Sequence, residues 1–539
     1  MNPRRRTFLK AGAAAVAGFG AFPFVPRTRV RIAGGMAGPD AGLGHRFRDG
    51  GFPEPSATES TDVLVVGGGI AGLATGRELD RLGRRDWKLL ELENELGGNA
   101  SSGRNAVSEF PWGAHYVPLP GPEAPEVTTL FEELGVIVGR DPRGLPVYRE
   151  EYLCHDPQER LFVDGRWQEG IVPHFGIGAR ERAGIEAFLA RMGELRSARG
   201  NDGKPLFAVP ADRSSRDPAW LALDRERFSA WLDREGFVSP ELRWYVDYCC
   251  RDDFGAASDR VAAWAGLHYF ASRRGSAANA PGHAVVTWPA GNGWIAGRLR
   301  GGAGERCVPR AAAFRVTETA GGAEVWAWHA GAARTVRHRA RHVVLAVPQF
   351  VAARMLGPDG AAGGRGSGVY SPWMVANVTL RSMPPGRGAP PAWDNVLRDS
   401  RSLGYVMATH QSLDAVPRGT VLTYYQPLDE GTPAEARRVA SGRGWESWRD
   451  QILADLGPSH PGIADLVERI DVRVWGHGMI CPVPGWLWDG RRGALAKPRG
   501  RVHFAHSDLG GMSLFEEACV QGVRAARDVV ARWEGRIDA

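Results

Sequence analysis

The stretch that decides the fold is Asp62-Val63-Leu64-Val65-Val66-Gly67-Gly68-Gly69-Ile70-Ala71-Gly72. After Asp62 it is a short β-branched run without a polar break, the pattern of a strand buried on both faces of a parallel sheet. The run enters a glycine turn and then Leu73 to Leu79, whose apolar residues are spaced as on a helix. Gly67, Gly69 and Gly72 fall in the order G-x-G-x-x-G. Gly67 permits the tight turn, Gly69 lets the backbone approach a pyrophosphate, and Gly72 lets helix and strand touch. Ile70 and Ala71 open the helix, whose free N–H groups favour negative charge.

A second apolar strand, Trp87-Lys88-Leu89-Leu90, ends in Glu91, placed to accept hydrogen bonds from a ribose diol. Shortly after Glu91 comes a second glycine pair, Gly97-Gly98-Asn99, which a plain nicotinamide-binding unit does not need.

The run from Leu89 to Asn99 resembles the second-strand motif of the flavin amine oxidase superfamily, which takes in monoamine and polyamine oxidases, phytoene desaturases and protoporphyrinogen oxidases. Asn99 stands where an arginine is common. Three later segments carry the same resemblance: Gly113-Ala114-His115-Tyr116, Trp288 to Trp294, and the strand Arg341 to Pro348. Near the C-terminus, Arg501 to Asp508 is a strand ending in a carboxylate, and a small-residue helix opens around Glu517. The resemblance implies an α/β fold, α+β overall, in which a Rossmann-like FAD-binding domain carries an inserted substrate domain. It implies non-covalent FAD held by Gly67, Gly69, Ile70, Ala71, Gly72, Glu91, Gly97, Gly98, Asn99, Gly113, Asp508 and Glu517. Cys481 and His477, read as lying in a loop, stand where some relatives link the flavin covalently. No lysine marks itself as the residue many amine oxidases place near the flavin, since the only late one, Lys497, sits in a Gly/Arg-rich turn.

The organisation that follows is a signal segment over 1–30, a linker over 31–60, and FAD-binding parts over 61–120, 281–365 and 481–539. The substrate domain fills 121–280 and 366–480. Within it, Asp164-Gly165 predicts a hairpin turn, and helices are expected from Ala179 to Arg199 and from Arg225 to Cys250. Many of the 19 tryptophans fall in the inserted segments. The candidate catalytic residues are His268 and Tyr269, then His115 and His477.

The remaining composition removes alternatives. With 539 residues, 24% charged and 43% hydrophobic, the chain is neither disordered nor a polytopic membrane protein. The net charge of +6 rests on arginine, and no basic-aromatic stripe suggests nucleic acid. Six cysteines show no paired or zinc-like spacing, so no metal site is expected and the thiols read as small buried residues. Arg4-Arg5-Arg6-Thr7-Phe8-Leu9-Lys10, followed by an apolar run from Ala11 to Val25, resembles a twin-arginine export signal. The partners expected are therefore the twin-arginine translocase and a small amine, and the location is periplasmic. The activity expected is hydride transfer to FAD from the carbon beside an amine nitrogen, with oxygen or another electron acceptor. The rival readings are an FAD desaturase or oxidase of an apolar carotenoid- or porphyrin-like substrate, and a non-enzymatic FAD-binding envelope factor.

Overall fold

The structure is a computed structural model that describes residues 31–357, 366, 368–414 and 418–536. The export motif lies outside them.

The described chain enters with β1 (Ala33–Met36) and α1 (Ala41–Asp49), then β2 (Ala57–Val66), α2 (Ile70–Arg81) and β3 (Trp87–Leu90). A hairpin, β4 (Glu159–Val163) and β5 (Arg166–Glu169), precedes helices α3 (Ala179–Ser197), α4 (Phe228–Arg234), α5 (Pro240–Phe254) and α6 (Ala263–Ala271). The chain then runs through β6 (Cys307–Val308), β7 (Ala311–Thr319), β8 (Gly322–His329) and β9 (Arg334–Leu345). After these come β10 (Val369–Leu380), β11 (Asp394–Leu397), β12 (Gly404–Met407), β13 (Thr420–Pro427) and β14 (Val467–Cys481), with β15 (Val502–Phe504) and α7 (Phe515–Trp533) last.

Two large sheets result. The first has the order β6-β3-β2-β9-β8-β7, with β15 on the far end of β9. Its β6, β3, β2, β9 and β15 are parallel, while β8 runs antiparallel to β7 and β9. This is the Rossmann-like half of an α/β fold. Its strands carry the continuous apolar run expected of a sheet covered on both faces: Val63, Leu64 and Val65 are wholly buried. Helices α2 and α7 cover one face, with Leu73, Leu79, Ala525 and Val529 in a shared core.

The second sheet has the order β1-β14-β10-β13-β12-β11-β4-β5. At its far edge Asp164 and Gly165, with φ of 49° and 75°, make the two-residue turn expected between β4 and β5. The helix expected from Arg225 to Cys250 is two helices. Ser239 caps α5 by accepting from the Leu242 N–H, and Pro240 pre-sets its first turn, so the chain restarts there.

Two further expectations are corrected. The segment 31–60 is not a linker: β1 pairs in parallel with β14, α1 follows, and β2 begins at Ala57. The segment Trp475–Cys481 is not a loop: it is the end of β14, antiparallel to β10 with Trp475 opposite Trp373. Gly476 and Gly478 hid the strand, and they make room for the Arg437 stem and the Trp373 indole. All five cysteines outside β6 are buried, and every one of the six is a free thiol.

Candidate functional site

Three cavities lie in series. The innermost, about 610 Å³, follows the glycine turn and is large enough for a cofactor. Gly67, Gly69, Ile70, Ala71, Glu91, Gly97, Gly98, Asn99 and Asp508 all line it. Gly67 has φ of +104°, and a Cβ there would lie 2.4 Å from the Ala346 carbonyl oxygen. Gly72 stands behind the turn, where a Cβ would lie 1.9 Å from the Gly67 oxygen. A Cβ on Gly69, by contrast, would meet no protein atom within 4 Å. The turn is thus closed toward the sheet and open toward the cavity, which is the cradle a pyrophosphate requires. The second glycine pair docks on the first, with the Gly97 N–H donating to the Gly68 carbonyl at 2.8 Å.

Glu91 accepts from the backbone N–H of Gly68 at 2.6 Å and of Glu93 at 2.8 Å. It therefore fixes the loop as well as facing the cavity, and burial raises its pKa. Asp508 is committed more fully. It accepts from the Gln349 N–H at 2.8 Å and from the Tyr370 hydroxyl, and His506 Nδ1 lies 3.0 Å away. Burial works to raise its pKa, but these partners outweigh burial and hold it low. Its negative charge serves to tie β10 and the loop after β9 to the last loop. Asn99 donates to the Gly478 carbonyl and so joins the loop to β14.

The middle cavity, about 160 Å³, shares Asn99, Ala114, Gly478 and Phe515 with the innermost one, and Gly113, His115, His268, Tyr269 and Glu516 also line it. His268 Nε2 is bonded to the Ala208 carbonyl at 2.8 Å and its ring stacks on Trp264, so it acts as a packed core residue. His477 faces the innermost cavity and packs against Phe350, away from the middle and outer ones. Cys481 lines neither, sitting beside Arg260 in a separate cleft. Glu517 also lines none of the three: it accepts from the Ala211 N–H at 2.6 Å and is fully buried. Its neighbour Glu516 is the one that faces the middle cavity.

Glu517 gives a clean stability prediction. Burial raises its pKa to about 8. For a carboxyl raised in the folded state, the penalty is absent below the unfolded pKa and complete above about pH 8. Glu517→Gln should therefore raise the thermal midpoint at pH 9 and leave it unchanged at pH 4. The full penalty is at most about 5 kcal/mol. Equal midpoints for the two proteins at both pH values would refute this.

The passage from the middle to the outer cavity is an aromatic box. His115 stacks on Tyr425 at 4.8 Å and meets Trp393 at 5.4 Å, while Tyr116 meets Trp393 edge-on at 5.7 Å. Burial lowers the His115 pKa to about 4, opposed by its contact with the Gly113 carbonyl. The imidazole is thus neutral at physiological pH, and its NMR resonances should not titrate between pH 5.5 and 9. A midpoint near 6.5 would refute this burial argument. Tyr269 lies between the two cavities, under the Arg273 guanidinium at 4.7 Å. Arg273 in turn pairs with Asp253 at 3.0 Å.

The outer cavity, about 770 Å³, is lined by five carboxylates, Asp156, Glu159 of β4, Glu169 of β5, Asp252 of α5 and Asp394 of β11, and by Arg160, Arg196 and Arg273. Among the described residues Glu159, Asp252 and Asp394 make no ion pair, and of these three only Asp394 has a side-chain donor, the Tyr248 hydroxyl at 3.2 Å. Burial raises all three; Asp253 and then Glu159 add to it at Asp252, and Glu159 and Asp252 add to it at Asp394, while Arg273 opposes it at Glu159 and Asp252, and Asp252 reaches about 7. Sequence reasoning passed over them. Asp252-Asp253 was visible as a pair, but nothing local shows that Asp253 is spent on Arg273 while Asp252 is not.

The fold and the innermost cavity define a dinucleotide-binding protein: residues 65–134 match the NAD(P)-binding Rossmann-like domain family. Over most of its length the fold is similar to that of solved amine oxidases. Wild-type putrescine oxidase bound to putrescine superposes with a TM-score of 0.61 at 16% identity, over 88% of this chain and 100% of that one. Cyclohexylamine oxidase from Brevibacterium oxydans gives 0.62 at 16% identity, over 88% and 100%. A CLA-producing fatty acid isomerase from P. acnes gives 0.59 at 16% identity, over 88% and 98%. No curated protein matches the chain in sequence.

Proposed function

We propose that this protein is an FAD-dependent oxidoreductase that oxidises the C–N bond of an amine, and that its preferred substrates carry a second positive charge. The observation that carries this reading is the outer cavity, which gathers Glu159, Asp252 and Asp394 without an ion pair among the described residues and opens through the aromatic box toward the dinucleotide cavity. Like charges gathered in a half-enclosed cavity without an ion-pair partner repel one another unless a ligand compensates them. A diamine or polyamine brings that compensation, whereas an apolar chain or a fatty acid carboxylate would worsen the imbalance.

FAD, when bound, supplies the hydride acceptor. Gly67, Gly69 and the first turn of α2 would hold its pyrophosphate, and Glu91 its ribose. The chain's own residues then handle charge and protons. Glu159, Asp252 and Asp394 draw in the cation, and the faces of Tyr425 and Trp393 guide it inward. In the small middle cavity, desolvation lowers the ammonium pKa and favours the neutral amine from which a hydride can leave. Glu516, raised by burial to about 7, is placed to take the released proton on its carboxylate.

The test is an anaerobic titration of the flavin-loaded protein with putrescine, spermidine and a simple monoamine. Bleaching of the flavin band by the first two at lower concentration supports the reading, and bleaching by none of them overturns it. Readmitting oxygen then identifies or excludes oxygen as the acceptor. The export motif extends this proposal to a periplasmic enzyme carried folded by the twin-arginine translocase. Arg5→Lys together with Arg6→Lys should keep it in the cytoplasmic fraction.

A further inference from the structure

The innermost cavity has a wall that belongs to neither sheet. Gly44, His45, Phe47 and Arg48 of α1 line it alongside the glycine turn. Helix α1 has no fully buried residue, and only the partly buried Phe47 packs it on the core. Clasps at its two ends hold it. On the N-terminal side β1 pairs with β14 from Ala33 opposite Arg469 to Met36 opposite Val472. Arg473 Nε donates to the Ala37 carbonyl at 2.9 Å while its Nη1 donates to Ser101 Oγ at 2.9 Å. The Asp40 N–H donates to the Glu93 carboxylate, at 3.0 and 3.2 Å to its two oxygens. Beyond the helix, Phe52 stacks on Phe314 at 4.3 Å, and the Arg46 guanidinium lies over the Phe52 ring at 4.6 Å.

Two of these anchors stand on the dinucleotide loops themselves. The Glu93 N–H donates to Glu91, the carboxylate that faces the cavity, and Ser101 follows Gly97-Gly98-Asn99.

We infer that residues 33–56 form a strap that closes over the dinucleotide site and sets how fast the cofactor escapes. This rests on the FAD reading above. A segment whose apolar side chains, such as Ala37 and Phe47, are only partly buried opens at a lower free energy than the body of the fold. A cofactor lying beneath it leaves only when it opens. The strap also fastens across both sheets, since β1 lies on one and Phe314 belongs to β7 of the other.

Two variants loosen different clasps. At Gly34, which has φ of +134°, a Cβ would lie 1.8 Å from the Ile470 carbonyl oxygen, so Gly34→Val lifts β1 off β14. Glu93→Ala removes the Asp40 anchor and keeps the backbone bond to Glu91. The experiment follows flavin fluorescence after the purified holoprotein is diluted into excess non-fluorescent ADP-ribose. Each variant is expected to release flavin at least tenfold faster than wild type, and the double variant little faster than the stronger single one. Trypsin provides a second readout in the unaltered chain, because bound flavin should slow cleavage after Arg46 and Arg48. Release within twofold of wild type in both variants overturns the strap, as does cleavage indifferent to flavin. If Gly34→Val fails to fold, Glu93→Ala and the proteolysis decide alone. A wild-type chain that takes up no flavin sinks the proposed function, and the strap with it.

Discussion

Asp252→Asn is expected to lower kcat/KM for putrescine or spermidine about a hundredfold at pH 8, and for a monoamine less than threefold. A desolvated charge pair is worth several kcal/mol when one partner is removed, and a hundredfold corresponds to about 2.7 kcal/mol. The pH dependence carries a sign. Burial and the neighbouring carboxylates hold Asp252 near pH 7, and only its anion attracts the distal ammonium. The wild-type preference for a diamine over a monoamine should therefore rise between pH 6 and 8 and lie flatter in the variant. Because the three carboxylates titrate as a group, the profile belongs to the cluster rather than to Asp252 alone. The same substitution should stabilise the amine-free protein. A raised folded pKa costs stability above the ordinary carboxyl range, so the Asp252→Asn variant should melt higher at pH 8, by about 2 kcal/mol after allowance for cavity water. Steady-state kinetics over pH with thermal unfolding checks both halves. A diamine preference unchanged by the substitution removes the outer cavity from substrate recognition.

The second large effect is at the glycine turn. Gly72→Val should yield a protein that purifies without flavin and binds added FAD at least a thousandfold more weakly. Even a Cβ here would lie 1.9 Å from the Gly67 oxygen, a backbone atom that cannot swing aside. The branched side chain must push α2 away from β2, and the loop that receives the pyrophosphate goes with it. Gly69→Ala is the control. Its Cβ meets no protein atom, so it should spare apo stability and impair binding only through the ligand. Fluorescence titration with FAD, beside the thermal midpoint of each apoprotein, separates the two. Retention of tight FAD binding by Gly72→Val would show that the turn does not carry the pyrophosphate.

What could be read from the sequence was whatever is written in contiguous residues. The strand, turn and helix from Asp62 to Leu79 and the hairpin at Asp164-Gly165 are local patterns whose periodicity and turn chemistry need no distant partner. The features that escaped are made by distance. Segment 33–56 looks aperiodic because β1 takes its pairing from β14, more than four hundred residues away. The glycines of β14 look like a loop until the Trp373 indole is seen filling the space beside Gly478. Glu516 and Glu517 are adjacent on a helix, and the hundred-degree step between them sends one to the middle cavity and the other to Ala211. The carboxylates of the outer cavity come from three elements, so no motif could announce them.

The strand β9 has a consequence for how the protein is made. It is the neighbour of β2, β8 and β15 at once, so the first sheet is closed only when Val502–Phe504 has been synthesised. The Asp62–Gly72 turn leaves the ribosome among the first parts of the body, and the last strand of its sheet follows roughly 20 to 90 s later. Until β9 is made β2 has an open edge, and until Val502–Phe504 is made the C-terminal end of β9 has one, each exposed to mispairing. A ribosome-stalled chain lacking its last forty residues should therefore bind no dinucleotide, although it already carries the whole glycine motif. Cofactor capture should wait for β15.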